Sequence, residues 1–221
     1  MSKTKELFEH DLALLNKMEI VAGAPLLNND TKFIAGCDEA GRGPLAGPVV
    51  CACCIMPLDE EKFIDKINDS KKLSQKLREE LYEKIVAAAI HYSIKIIDSG
   101  IIDEINILQA TIKGVTQSIE EIKSIHDNTI FLVDALNLKI PSIHTIPIIK
   151  GDTKSYNIAA ASILAKVVRD RILLDYDIQY PNYGFSKHKG YGTVQHIQAI
   201  KTHGITKIHR RSFVKNYEYK S

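Results

Sequence analysis

Hydrophobic residues along this chain recur at helical spacing in some segments and form short apolar runs in others. Helical spacing predicts helices within residues 1–22, after a Ser74 cap, from about Asp103, over roughly residues 155–176, and between Thr193 and Gly204. The apolar runs predict five strands, namely KFIAGCD, VVCACCIM, YSIKIID, TIFLVDA and IHTIPII. The last strand is expected at a sheet edge, because Pro147 cannot donate a hydrogen bond to a neighbouring strand.

The order of these segments predicts the domain organisation. Strands and helices alternate after residue 32, which favours one α/β domain over residues 31–221. Residues 1–30 are expected to form a helical N-terminal extension, joined to the domain by GAPLLNND as a linker. The apolar face of its helix carries Phe8, Leu12, Leu15 and Met18.

Composition narrows the class of protein. With 45% hydrophobic and 25% charged residues among 221, the chain has the make-up of an ordinary soluble globular protein. No apolar run approaches the roughly 20 residues of a membrane span, and charges interrupt the apolar positions near Met1, unlike a signal peptide. A cytoplasmic protein is therefore expected. Buried reduced thiols rather than a zinc site are expected for the four cysteines, Cys37, Cys51, Cys53 and Cys54.

Charge is distributed unevenly, although the net charge is only +2. Residues 1–149 carry 16 Lys and Arg against 22 Asp and Glu, whereas residues 150–221 carry 13 against 5. The basic C-terminal third fits contact with a polyanion such as nucleic acid, and it fits a solvated basic surface equally well.

Four acids lie where strands are predicted to end. Asp38 and Glu39 are adjacent, and the glycines after them indicate that the strand ends there, so that both carboxylates face one centre. Asp134 closes a strand and Asp152 follows another. Converging carboxylates repel one another, and hard divalent cations such as Mg²⁺ or Mn²⁺ remove that conflict. The alternative is that each acid makes an ordinary turn or cap.

The stretch AGCDEAGRGPLAGPVV surrounds the first two acids with four glycines. Its spacing, Gly41-x-Gly43-x-x-x-Gly47, does not fit a dinucleotide-binding loop, and an apolar strand follows instead of a helix. Glycine allows the backbone to approach a ligand closely. Since Arg42 stands between two of the glycines, contact with a polyanion is favoured over a plain turn.

A second candidate surface lies in KHKGYGT. Lys187 and Lys189 supply charges for phosphates, and Tyr191 supplies a ring for a sugar or a base. The segment IHRRSF adds Arg210 and Arg211 as candidate phosphate contacts. A plain surface loop is the alternative for each segment. No serine or cysteine is placed with a histidine and an acid so as to support covalent nucleophilic catalysis.

Taken together, these motifs resemble the bacterial ribonuclease HII family of type 2 ribonucleases H. The resemblance rests on eight stretches in the family's order, between about residues 34 and 213: GCDEAGRGPLAGPVV, INDSKKLS, INILQAT, FLVDA, IKGD, AAASILAKVVRD, YPNYGFSKHKGYGT and HRRSF. It implies an RNase H-like fold, a mixed sheet with helices on both faces and a helical C-terminal part. It also implies endonucleolytic cleavage of RNA in RNA–DNA hybrids and at single ribonucleotides embedded in duplex DNA, as in ribonucleotide excision repair.

The resemblance assigns roles by position. The four catalytic carboxylates of the family match Asp38, Glu39, Asp134 and Asp152, of which the first three are expected to bind metal. The loop that senses the ribonucleotide matches Gly41, Arg42 and Gly43, and the tyrosine that packs at the RNA–DNA junction matches Tyr191. Two positions depart from the family's pattern: Ala135 and Gly192 stand where it often has glycine and proline.

The expected mechanism is two-metal hydrolysis, in which two Mg²⁺ or Mn²⁺ ions about 4 Å apart activate water and stabilise the leaving oxygen. The chain is expected to act as a monomer on hybrid and ribonucleotide-containing duplexes, without a membrane or a small-molecule cofactor. Two alternatives stay open. Ribonuclease HIII has similar acids, but it usually carries a large N-terminal domain and lacks the Gly-Arg-Gly triplet. A non-catalytic nucleic-acid-binding protein on the same scaffold would have lost an acid.

Overall fold

A computed structural model describes residues 1–20 and 33–217 of the chain, without the side chains of residues 17–20. The predicted linker and the side chain of Met18 lie outside the described residues. The strands are β1 (Phe33–Ala40), β2 (Val49–Ile55), β3 (His91–Ile97), β4 (Thr129–Asp134) and β5 (Thr145–Ile148). They form one mixed sheet in the order β3-β2-β1-β4-β5. All five predicted strands are present, and β5 lies at an edge as Pro147 indicates.

The direction of the strands divides the sheet in two. The β1–β2 and β2–β3 pairs are antiparallel, whereas β4 runs parallel to β1 and β5 runs parallel to β4. The helices are α1 (Lys3–Ile20), α2 (Gln75–Ala88), α3 (Ser99–Ile125), α4 (Tyr156–Gln179), α5 (Phe185–His188), α6 (Val194–His203) and α7 (Arg211–Val214). None of the described helices combines the length and the hydropathy that a membrane crossing requires.

Caps set the starts of the helices. Ser74 and Thr193 accept hydrogen bonds from the first turns of α2 and α6, as predicted. The predicted start of α3 near Asp103 was wrong, because Asp98 caps the helix and it begins at Ser99. Asn106 then leaves helical geometry with a φ of 64°, and its side chain accepts from two following backbone N–H groups. After this break the helix continues to Ile125 and buries Val115, Ile119 and Ile122.

An apolar layer covers each face of the sheet. Successive side chains of β2 alternate between them, as a strand buried on both faces requires. The layer under α1, α2 and α4 receives Val50, Ala52 and Cys54. The layer under α3 receives Val49, Cys51 and Cys53. All four cysteines are free and buried, as expected from the sequence.

Helix α4 lies directly on β1, the strand that carries Asp38. The contact depends on Gly36, since a Cβ atom there would come within 2.1 Å of the backbone of Asn157 and Ile158. The start of α4 is therefore fixed against the strand with the first acid.

Helix α1 is tied to the same place by a buried carboxylate. Asp11 Oδ2 accepts hydrogen bonds from Ser155 Oγ and from the backbone and side-chain nitrogens of Asn157, each at 2.9 Å. Leu7 and Phe8 are buried in the layer beneath α4. The first helix thus packs on the α/β domain and contributes to its interior.

Candidate active site

Three carboxylates meet at one end of the sheet. Asp38 and Asp134 lie on neighbouring parallel strands, one residue past the last pair of that ladder, Cys37 and Val133. Asp152 is buried in the 3₁₀ turn that follows β5. One oxygen from each of these three acids lies within 4.8 Å of the others. The parallel register of β1 and β4 is what brings the first two together.

Burial and mutual repulsion oppose full ionisation of this cluster. Burial, and then the charges of Glu39 and Asp134, raise the pKa of Asp38 well above its usual range. Burial likewise raises the pKa of Asp134, although the Gly151 N–H donates to its Oδ1 at 2.7 Å. Lys71 Nζ lies 3.4 Å from Asp152 Oδ2. Crowded carboxylate oxygens of this kind fit a hard divalent cation.

Glu39 does not join the converging oxygens. Strand β1 continues through the acids, with Asp38 opposite Ala52 and Glu39 opposite Cys51, so the predicted strand end was wrong. Because side chains alternate along a strand, Asp38 and Glu39 leave it on opposite faces. The Glu39 carboxylate lies 3.5 Å from Arg42 Nη1 and lines the same cleft as Asp38.

The cleft above the acids has a volume of about 200 Å³. The segment between β1 and β2, residues 41–48, is called the glycine loop below. Besides this loop and Tyr191, the cleft is lined by Lys71 and Lys166, which residue patterns alone did not single out. Lys166 Nζ donates to Asp170 Oδ1 at 2.7 Å. The available signal for both lysines was their place in INDSKKLS and AAASILAKVVRD, two of the stretches that carry the resemblance.

Arg210 holds the glycine loop from behind. Its guanidinium donates to the carbonyls of Gly41, Arg42 and Gly47 at 2.6, 2.8 and 3.0 Å. The side chain is fully buried, so the prediction that it contacts phosphate was wrong. Burial lowers the pKa of Arg210 to about 9, which leaves it charged at neutral pH.

Arg169 of α4 holds the second half of the loop. It donates to the carbonyls of Pro48, Ala46 and Lys189 at 3.0, 3.2 and 3.0 Å. Its Nε would lie 2.0 Å from a Cβ atom at Gly41, whose φ is +100°. Gly41 is therefore required both by its backbone conformation and by the arginine packed against it.

Gly43 and Tyr191 face each other at the mouth of the cleft. A Cβ atom at Gly43 would touch only Tyr191 Cε1, at an ordinary 3.6 Å. The Tyr191 side chain is 47% exposed. Leu45 N donates to Gly190 O at 2.8 Å and so ties the two segments together.

Comparison with known proteins decides the family. Residues 35–216 match the family model of ribonuclease HII. The chain belongs to the ribonuclease HII family. The ribonuclease HII of Caldanaerobacter subterraneus subsp. tengcongensis is 50% identical over 213 residues, 96% of this chain and 86% of that protein. The ribonuclease HII of Ruminiclostridium cellulolyticum is 54% identical over 185 residues, 84% of this chain and 71% of that protein.

Solved structures agree with this assignment. Ribonuclease H2 from Pyrococcus horikoshii OT3 has a TM-score of 0.67 at 26% identity, covering 84% of this chain and 97% of that chain. Ribonuclease HII in the PCNA:RNase HII complex from Archaeoglobus fulgidus also has a TM-score of 0.67, at 28% identity, covering 81% and 94%. The predicted RNase H-like fold is confirmed, and the ribonuclease HII family makes the chain a metal-dependent endonuclease acting on RNA–DNA hybrids.

The basic residues predicted to bind substrate differ in exposure. Lys187 and Arg211 are exposed. Lys189 is half-buried, and its ammonium group donates to the Ser186 carbonyl at 2.6 Å. Lys187 and Arg211 therefore have the freest access to a phosphate, whereas Lys189 would have to give up a contact.

Both departures from the usual ribonuclease HII pattern fall at tight positions. Ala135 has a φ of 51°, in the left-handed region that favours the glycine often found there. A Cβ atom at Gly192 would lie 3.1 Å from Leu45 Cδ1, a close contact. Neither departure removes a carboxylate from the cleft.

Proposed function

We propose that this ribonuclease HII family member cleaves the RNA strand of RNA–DNA hybrids and also nicks duplex DNA at single embedded ribonucleotides. One observation carries the proposal. Asp38, which converges with Asp134 and Asp152, lines the same cleft as Gly43 and Tyr191. A phosphodiester and the 2′-OH beside it are close neighbours in a nucleic-acid strand, and this cleft offers a separate group of residues to each.

Divalent cations fit the buried and mutually repelling carboxylates described above. Asp38, Glu39 and Asp134 would hold two of them, Mg²⁺ or Mn²⁺, with Asp152 as the fourth carboxylate. Such ions activate a water molecule and stabilise the leaving oxygen of a phosphodiester. The backbone N–H groups of Glu39 and Gly151 each donate at 2.7 Å to one carboxylate oxygen of Asp38 and Asp134, and so orient the acids before substrate binds.

The loop offers main-chain donors to the 2′-OH. Arg210 occupies the carbonyls of Gly41 and Arg42 from the buried side. Within residues 1–20 and 33–217, no group accepts a hydrogen bond from the N–H of Arg42 or Gly43. These donors suit a ribose hydroxyl oxygen and would stay unpaired against a deoxyribose. A site built around a substrate hydroxyl can reject the deoxy analogue by ~10⁴-fold or more.

Tyr191 supplies the second half of the selectivity. We assign its exposed ring to the deoxyribose on the 3′ side of the ribonucleotide, where an added 2′-OH would crowd the ring. On this assignment Tyr191 favours a DNA nucleotide immediately after the ribonucleotide. We assign the activity to a monomer. Residues 31–221 are assigned to its catalytic domain, residues 1–30 to an extension, and its location to the cytoplasm.

The test is cleavage of three matched duplexes, with one ribonucleotide, an all-RNA strand, or DNA only, with and without Mg²⁺ or Mn²⁺. The two RNA-containing duplexes should be cut only with metal, leaving 5′-phosphate and 3′-hydroxyl ends. Tyr191→Ala should reduce kcat/KM much more on the single ribonucleotide than on the all-RNA strand, while Tyr191→Phe should retain the preference. Equal losses for Tyr191→Ala on both substrates would contradict the role at the junction.

The same assay separates the two alternatives. Ribonuclease HIII is disfavoured by the family match, and Aquifex aeolicus RNase H3, at 19% identity and a TM-score of 0.62, shares the fold alone. A non-catalytic binding protein is disfavoured because all four acids are present. Tight binding of hybrid duplex without metal-dependent cleavage would reverse that preference.

A further inference from the structure

Three buried histidines lie directly behind Tyr191, and the nuclease chemistry does not use them. His188 is stacked on His196 with ring centroids 4.5 Å apart, and His196 Nε2 lies 3.1 Å from His209 Nε2. They come from three segments, α5, α6 and the residues just before α7. Among the described residues the histidines form no group with metal-ligand geometry, which only the three acids have. Their contacts therefore require another explanation.

The neighbours of each ring determine where its proton lies. The Thr206 N–H donates to His209 Nδ1 at 2.9 Å, so a neutral His209 carries its proton on Nε2. The carbonyl of Tyr191 can only accept, so His196 Nδ1, 2.9 Å away, carries the proton of that ring. His196 Nε2 then carries a lone pair, which accepts a hydrogen bond from the Nε2–H of His209. One arrangement of protons satisfies all of these contacts.

The third ring follows the same rule. The Gly190 N–H donates to His188 Nδ1 at 3.2 Å, which leaves the Nε2–H of His188 to donate to Tyr183 O at 2.8 Å. Burial lowers the pKa of His196 and His209 to about 4. Both rings are therefore neutral at pH 7, as a directed chain of hydrogen bonds requires.

This chain of hydrogen bonds connects Tyr191 to the glycine loop. The backbone of His209 forms a β-bridge with Ala46 of that loop. From there the connection runs through the rings of His209 and His196 to the carbonyl of Tyr191. It closes through the hydrogen bond from Leu45 N to Gly190 O at 2.8 Å.

The backbone is what positions the Tyr191 ring. Tyr191 N donates to His188 O at 2.9 Å, and its carbonyl accepts from Thr193 N and from His196 Nδ1. In the part of the chain that the structure describes, no group hydrogen-bonds the Tyr191 hydroxyl, and the ring is nearly half exposed. The spacing between this ring and Gly43 thus depends on the contacts of its main chain.

We propose that His196 and His209 are positioning residues for substrate selectivity, holding Tyr191 at the spacing from Gly43 that separates a ribonucleotide–DNA junction from a continuous RNA strand. This inference rests on the role proposed above for Tyr191. Loss of this chain of hydrogen bonds should leave hydrolysis in place, because none of the three histidines touches the catalytic acids. It should reduce the preference for the junction.

Three variants test the proposal through one ratio, kcat/KM on the single ribonucleotide divided by kcat/KM on the all-RNA strand. His196→Phe keeps the ring volume but removes both hydrogen bonds. It should lower the ratio by roughly 3- to 10-fold, the size expected for loss of the one bond that reaches the Tyr191 carbonyl. His196→Asn can place an amide N–H where Nδ1 was, and should recover most of the ratio. His203→Phe, at an exposed histidine on the same helix, should leave the ratio unchanged.

A loss in His196→Phe that is equal on the two substrates and accompanied by a lower melting temperature would make the histidine structural and overturn the proposal. Tyr191→Ala, measured alongside, separates the two levels of inference. If it lowers the ratio while His196→Phe does not, the chain has no role in selectivity but the assignment of Tyr191 stands. If it leaves the ratio unchanged, both assignments fail.

The proton positions can be measured in the unaltered protein, so the test does not depend on a variant that folds. ¹⁵N spectra of histidine-labelled protein at pH 7 should show His196 with its proton on Nδ1, and His188 and His209 with theirs on Nε2. A proton on Nε2 of His196, or a charged ring at His196 or His209, would contradict the proposed chain of hydrogen bonds.

Discussion

The carboxylates of Asp38 and Asp134 each accept a backbone N–H at 2.7 Å. An asparagine at either position would keep an oxygen that can accept this bond, but it would lose its charge. Asp38→Asn and Asp134→Asn should therefore abolish cleavage and leave the fold intact. Without metal, their melting temperatures should equal or exceed that of the parent protein, because one like charge is gone from a crowded cluster.

The measurements are kcat/KM with Mg²⁺ or Mn²⁺ and thermal unfolding in a chelator. Asp175→Asn, at an exposed position of α4, is the matched control and should change neither quantity. Near-normal turnover in Asp38→Asn or Asp134→Asn would remove that acid from the catalytic set. A large drop in melting temperature would indicate a structural acid instead.

The two glycines of the Gly-Arg-Gly triplet should respond differently to one added methyl group. The methyl group of Gly41→Ala would lie 2.0 Å from Arg169 Nε, and Gly41 has a φ of +100°. This variant should therefore have a lower melting temperature. Gly43→Ala meets only Tyr191 Cε1 at 3.6 Å, so it should fold normally. Its methyl group faces the cleft, and kcat/KM should fall on both RNA-containing duplexes. Full activity in Gly43→Ala would mean that this glycine serves the turn and not the substrate.

Ala135 is a position where substitution should stabilise the protein. Its φ of 51° is unfavourable for any residue with a Cβ atom, by roughly 1 kcal/mol. Ala135→Gly should therefore raise the free energy of unfolding in urea by about 0.5–1 kcal/mol, with cleavage retained. Ala87→Gly, on the exposed side of α2, is a control for the same change in helical backbone. It should lower the free energy of unfolding by about 1 kcal/mol. A destabilised Ala135→Gly protein would show that the strain is relieved elsewhere.

At the scale of elements, helix α1 supplies the carboxylate that caps the start of α4. Asp11→Ala would leave Ser155 Oγ and two nitrogens of Asn157 without the acceptor they share. Unsatisfied buried donors cost about 1–3 kcal/mol each, so we expect a loss of about 3 kcal/mol in the free energy of unfolding. Glu6→Ala, on the exposed side of the same helix, should stay within about 0.5 kcal/mol. Equal stability of the two variants in urea would show that α1 docks without this contact.

Elements were predictable where the signal is local, and less so where it depends on packing. Ser74 and Thr193 were identifiable as caps, and Asp134 as a strand end, because each stands at a change of hydrophobic period. The alternation that leaves Glu39 outside the group of converging oxygens required the register of β1 against β2, which no local pattern fixes. The burial of Arg210 depends on a loop far away in sequence, so its residue type alone indicated a surface contact.

At the scale of the whole molecule, the basic C-terminal third contains charges of two kinds. Lys187 and Arg211 are exposed, whereas Arg210 is enclosed by the carbonyls of the glycine loop. Lys187→Ala and Arg211→Ala should weaken binding to every duplex sequence and reduce the slope of log K against log salt by about 1 each. Arg210→Ala should instead lower the melting temperature and cleavage together.

Binding of a catalytically inactive Asp134→Asn background to hybrid duplex over a range of salt concentrations would measure these slopes without cleavage. Lys139→Ala, an exposed lysine in the acidic part of the sequence, is the control and should leave the slope unchanged. Unchanged slopes in both Lys187→Ala and Arg211→Ala would assign this third of the chain to a solvated surface.

The arginine contacts of the glycine loop also have a consequence for biosynthesis. Gly41 receives its hydrogen bond from Arg210, 169 positions later in the chain, and Pro48 receives one from Arg169, 121 positions later. At translation rates of about 5–20 residues per second, the first of these partners to be made, Arg169, follows the loop by roughly 6–24 s. We expect a nascent chain to carry the acids of β1 for that time beside a loop that nothing yet holds in shape. The ability to choose a ribonucleotide would then be among the last properties the protein acquires.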